Sequence, residues 1–66
     1  MFVTVNGEAM EVPEGERVTD LLGRLGLERS VCAVEVNRAL VPKRSHGETV
    51  LKQDDRIEVV TLVGGG

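Results

Sequence analysis

Asn6-Gly7 stands between two runs suited to extended backbone, Phe2–Val5 and Glu8–Val12, and this dipeptide is the strongest two-residue hairpin signal a sequence can carry. The chain is therefore expected to open on a β-hairpin. Pro13-Glu14-Gly15 then reads as a turn, because proline fixes one φ and glycine tolerates the positive φ that tight turns need.

Thr19-Asp20 precedes Leu21, Leu22 and Leu25, with Gly26 after them, a capped and terminated helix of about two turns. Such a helix is unstable alone and must lay its leucines on a sheet. Cys32–Val36 alternates as a strand, Asn37-Arg38 is a turn, Ala39–Val41 a further strand, and Pro42 ends regular pairing. Ser45–Thr49 reads as an irregular loop or one helical turn, and Gln53-Asp54-Asp55 as another turn. Arg56–Val63 is the longest strand and leads into Gly64-Gly65-Gly66. Hairpin, helix and further strands describe an α+β domain, a mixed sheet of about four to five strands with one helix across one face. The expected division is a folded domain over 1–63 and a flexible glycine tail over 64–66.

Composition narrows the function. A chain of 66 residues removes only about 60% of its unfolded surface from water, so a deep catalytic cleft is not expected. Phe2 is the sole aromatic residue, which leaves no stacking platform for single-stranded nucleic acid. The net charge of −3 and six scattered arginines argue against a phosphate-backbone partner. No apolar run approaches the roughly 18 residues of a membrane span, and no charged leader precedes an apolar stretch. A soluble, cytoplasmic protein without nucleic-acid or membrane partners is the expectation.

The remaining candidates carry little chemistry. Cys32, the single cysteine, falls within a strand and is expected to be a small buried hydrophobe. His46 has no cysteine or second histidine nearby, so an exposed loop residue is expected. Asp54-Asp55 suits a turn better than a metal site, and Glu11, Glu14 and Glu16 suit a solvated face. No Ser-His-Asp set, CxxC pair or P-loop is present. An enzyme is therefore not expected, and no catalytic residues, no metal and no bound cofactor are expected either.

The ordered set of Asn6-Gly7, Val18-Thr19-Asp20-Leu21-Leu22, Val36-Asn37-Arg38, Val41-Pro42, Asp54-Asp55-Arg56-Ile57 and the closing glycines resembles the ubiquitin-like sulfur carriers of the β-grasp fold. Within them the match is nearest the thiamine-biosynthesis carriers, the ThiS family. The family's terminal Gly-Gly falls on Gly65 and Gly66, and Gly64 is an addition before it.

The resemblance implies that a separate adenylating (ThiF-like) enzyme uses ATP to place AMP on the Gly66 carboxylate. A sulfur donor such as a cysteine desulfurase then leaves a thiocarboxylate, which a thiazole synthase (ThiG-like) consumes. Gly64 and Gly65 would enter the partner's active site, since residues without a Cβ pass a narrow channel. Four residues from Val63 reach at most roughly 13 to 14 Å. The alternatives are a carrier for molybdopterin, tRNA thiolation or cysteine synthesis, and a regulatory β-grasp module that never uses its C-terminus.

Docking follows from the last strand. Ile57, Val59, Thr61 and Val63 share one face, and Glu58, Val60 and Leu62 the other. With the helix on the Ile57 side, Val60 and Leu62 are left open, joined by Phe2 and Thr4 where the first strand pairs. The expected partner-binding patch is Phe2, Val60 and Leu62.

Overall fold

A computed structural model describes residues 1–62 of the chain. Val63 and the proposed tail, Gly64, Gly65 and Gly66, lie outside the described residues.

Strands β1 (Phe2–Val5) and β2 (Glu8–Glu11) form the opening hairpin. Its turn places Asn6 at φ 49° and Gly7 at φ 86°, the left-handed conformation at both central positions that a two-residue hairpin turn requires. Helix α1 (Val18–Arg24) follows, then β3 (Cys32–Val36), β4 (Ala39–Val41), a 3-10 turn over Lys43–Ser45, and β5 (Arg56–Thr61).

The five strands form one sheet in the order β2-β1-β5-β3-β4. The pairs β1–β2, β3–β4 and β3–β5 are antiparallel, and β1–β5 is parallel. The first and last strands thus lie side by side at the centre, and β5 joins two hairpins that have no other ladder between them. This mixed sheet with one helix is the expected architecture.

The helix begins at Val18, as the Val18–Leu22 motif has it, and two residues before a cap at Thr19 would place it. Arg17 is the N-cap, and the Asp20 carboxylate accepts its backbone N–H at 3.0 Å, so Asp20 serves as the third helical residue. Tertiary bonding sets this start, because Val18 N–H is already held by the Thr49 carbonyl at 3.0 Å. At the other end Gly26 adopts φ 74° and donates to the Gly23 carbonyl, while Leu27 donates to that of Leu22 at 2.7 Å. This paired closure satisfies carbonyls that the helix end would orphan, and it turns Leu27 back against the core.

Val18, Leu21 and Leu22 of the helix pack with Val3, Val5, Val34, Ile57 and Val59 from one sheet face, closed by Val12 and Leu51. Each such side chain contributes roughly 1.5–3 kcal/mol on burial. The helix therefore lives on its contacts with the sheet.

Two sequence expectations fail here. His46 is buried, at 6% exposure, rather than a surface residue. It closes the 3-10 turn, and its Nε2 lies 3.0 Å from the Val41 carbonyl; since a carbonyl only accepts, Nε2 carries the hydrogen. Glu16 is not part of a solvated face: it is 4% exposed and takes both Nε and an Nη of Arg24 at 2.9 and 3.1 Å. Hydrogen bonding and charge from Glu16 raise the Arg24 guanidinium above its ordinary pKa, with desolvation opposing and Asp20 assisting. Glu11 and Glu14 are exposed as expected.

Candidate functional site

The site is the end of β5 and the sheet face that the helix leaves bare. Register fixes that face. Val34 and Val59 pair in the core, so Glu35 with Glu58 and Ala33 with Val60 pair on the open side. Val60 and Leu62 are 56% and 53% exposed there. Leu62 continues the pairing past the strand, its N–H on the Val31 carbonyl at 2.8 Å, and Val31 is itself 60% exposed. An apolar cluster of Val31, Ala33, Val60 and Leu62 thus surrounds the point where the chain leaves the sheet.

Phe2 shares this face and is half exposed, but it lies at the opposite end. Strand β1 runs parallel to β5 with Thr4 level with Arg56, and the Phe2 carbonyl takes the N–H of Asp54. Six positions separate that level from Val60, or about 20 Å along a strand. The structure therefore groups Val60 with Leu62 and not with Phe2. Val31 was missed in sequence, although its alternation with Ala33 was a usable signal.

Charge on the face is sorted along it. Glu35 and Glu58 stand directly opposite each other, an arrangement of like charges that costs stability unless a cation lies over it. The apolar cluster is thus followed by an acidic step.

Strand β5 is clamped at both ends by asparagines from the two hairpin turns. Asn37 accepts the Arg56 N–H at 2.9 Å and donates to Asp55 at 2.9 Å. Asn6 accepts the Val59 N–H at 2.8 Å and donates to the Val59 carbonyl at 3.1 Å. Neither role was read from the sequence, although a Val-Asn step, Val5-Asn6 and Val36-Asn37, leads from the strand into each turn. Asp55 also accepts the Lys52 N–H at 2.8 Å, which makes the Asp54-Asp55 pair a structural turn.

Cys32 is partly buried against the core, and its sulfur lies 3.8 Å from the Ser30 carbonyl. Among the described residues no group of three metal-binding side chains gathers, and no helix is long and apolar enough to cross a membrane. Gly64, Gly65 and Gly66 lie beyond the described residues, so this geometry stops at their threshold.

Comparison with known proteins gives the same architecture a family. The ThiS family model matches residues 3–66. A ThiS thiamine biosynthesis protein from Geobacter metallireducens, solved by crystallography, superposes with a TM-score of 0.84 at 32% identity over the whole of both chains. The sulfur carrier protein ThiS of Escherichia coli is 26% identical over the full length of both. A thiazole synthase of Magnetococcus marinus is 41% identical over all 66 residues, which make up 20% of that protein; a second, from Paramagnetospirillum magneticum, is matched over the same share, so the chain spans about a fifth of these relatives. Strand order, single helix and family match all run together through this sequence, and the chain, a β-grasp fold, belongs to the ThiS family.

Proposed function

We propose that the chain carries sulfur for the thiazole ring in thiamine biosynthesis as a thiocarboxylate on Gly66, and that it is acted upon rather than catalytic. The observation that carries this reading is the placement of β5: the central strand of the sheet delivers the chain, at Leu62, into the four residues that end on Gly66, with the family match continuing to that residue.

The chemistry needs activation first, because a carboxylate is a poor electrophile and oxide a very poor leaving group. A carboxylate oxygen of Gly66 attacks the α-phosphorus of ATP on an adenylating enzyme, and pyrophosphate departs. The resulting acyl adenylate has AMP as its leaving group. A persulfide sulfur of a donor enzyme then attacks the acyl carbon and expels AMP, giving an acyl disulfide. A second thiol attacks the donor's sulfur, forms a disulfide with it and so supplies the two electrons that release the thiocarboxylate on Gly66. Thiazole synthase is the proposed acceptor; relatives of that name which hold a similar segment in one polypeptide support it.

The open face supports docking to the adenylating enzyme. Val60 and Leu62 offer apolar contact beside the departing chain, and Glu35 with Glu58 suit a basic partner residue. Phe2 would mark the far rim of such a contact.

Intact mass spectrometry after incubation with ATP, a sulfur source and an active adenylating enzyme tests the reading. The expected product has one oxygen exchanged for sulfur at Gly66, in the parent chain and equally in Cys32→Ser. An unchanged terminus, or loading lost with Cys32, refutes it.

A further inference from the structure

Alternation along β5 leaves one residue, among those described, without a partner on its β1 side. Even-numbered residues bond towards β3, as Arg56 does with Asn37 and Leu62 with Val31. Odd-numbered residues bond towards β1: the Asp55 carbonyl takes the N–H of Thr4, that of Ile57 takes Asn6, and Val59 is met by the Asn6 side chain. Thr61 is the next odd residue. Its N–H and C=O point to the β1 side, where the first hairpin has already turned at Asn6-Gly7. Among the described residues no side chain or loop carbonyl reaches them.

The space they face is shaped. A groove of about 540 Å3 opens between the hairpin end, the end of β5 and the helix C-terminus. Val5, Met10, Leu25, Leu27 and Val59 supply its apolar lining, and Glu8 is exposed at its edge. An unpaired donor and acceptor beside an apolar groove are the two halves of strand addition: main-chain bonds hold the peptide and a pocket takes alternate side chains.

We infer that the gap beside Thr61 is a strand-addition site for an extended segment of a protein partner, one that sends an apolar side chain into the groove and a basic one towards Glu8. The inference deepens the carrier reading, because the gap lies where the chain departs for residues 64–66, and a partner holding the segment would grip the base of the tail. Its test needs no adenylation, so the two can fail separately.

The probe is acetyl-Val-Lys-Val-Lys-Val-amide titrated into the isotopically labelled full chain and followed by amide NMR. Saturable shifts are expected at Asn6, Met10, Leu27 and Thr61, with the Thr61 amide slowed in hydrogen exchange. Of two peptides N-methylated at alternate amides, one should bind at least about tenfold more weakly, as loss of main-chain bonds requires, and the other should bind as the parent peptide does. Glu8→Lys should transfer the preference to a Glu-substituted peptide. Thr61→Pro should fold, since its N–H has no partner to lose and Val60 is already extended, and it should lose the peptide. If that variant fails to fold, the methylated pair still decides. No saturable binding at millimolar peptide, shifts centred on Phe2, Val60 and Leu62, equal binding of both methylated peptides, or concentration-dependent protection of Thr61 without peptide, which would make a second copy the occupant, each overturns the inference.

Discussion

The side-chain amide of Asn6 takes the place of a strand residue for Val59, accepting its N–H at 2.8 Å and donating to its carbonyl at 3.1 Å. The parallel ladder between β1 and β5 covers only Thr4 with Arg56 and Val5 with Ile57, so this one side chain lengthens it by a further step. The same residue holds φ 49° in the hairpin turn.

Asn6→Ala should therefore cost two part-buried hydrogen bonds and place a Cβ-bearing residue without a polar side chain in the left-handed region. Together these amount to roughly 2–4 kcal/mol. Asn6→Gly keeps the turn geometry and loses only the bonds, so it should be the milder change. Urea denaturation of both variants would separate the contributions; equal losses would mean that the turn strain is negligible.

Arg24→Met should lower the melting temperature, because it leaves the buried Glu16 carboxylate without its partner, and Glu16→Gln in that background should recover part of the loss. The sign with pH follows from the raised Arg24 pKa. A group whose folded value exceeds its unfolded value stabilises fully below the unfolded value and loses that contribution only as pH rises through the folded one. For an arginine raised above its ordinary value this window lies beyond the usual alkaline range, so the contribution from Arg24 should be constant from neutral to moderately alkaline pH. Melting temperatures measured across that range would check it.

Leu62→Asp should weaken binding to the adenylating enzyme by more than tenfold, about 1.4 kcal/mol, while leaving the melting temperature nearly unchanged, since Leu62 is half exposed. Phe2→Asp, about 20 Å away along the sheet, should have the smaller effect on affinity. Titration calorimetry beside thermal melts distinguishes the two positions, and equal losses would enlarge the contact to the whole face.

Deleting Gly66, or adding one residue after it, should abolish adenylation with the fold intact, because the change moves the reacting carboxylate and touches no core residue. Circular dichroism with intact mass after ATP and enzyme would read both. An extended variant that still accepted sulfur at its new terminus, untrimmed, would remove the special role of Gly66.

Much of the fold was legible because its signals are local. Asn6-Gly7 and Asn37-Arg38 both form tight turns with positive φ at each central residue, and the helix leucines lie where their spacing puts them. What escaped was set by distant partners. His46 is buried because Val41 offers a carbonyl and the helix start packs over the loop, Thr19 N–H bonding the His46 carbonyl at 3.2 Å. Glu16 pairs with Arg24 eight residues on, a spacing that is not a neighbour relation on any helix or strand. The open face was readable by alternation, but the distance between Phe2 and Val60 depends on the β1–β5 register, which alternation does not fix.

The central seat of β5 also sets when the molecule can exist during synthesis. Until Arg56–Thr61 has left the ribosome, β1–β2 and β3–β4 are two hairpins with no strand between them, and an isolated hairpin is marginal in water. The contacts that close the core, such as Val5 with Ile57, join residues far apart in the chain and cannot form before β5 is present. A truncated product ending before β5 should thus be left without a sheet to fold on and be open to proteolysis, so a folded body is assembled only once β5 has been made.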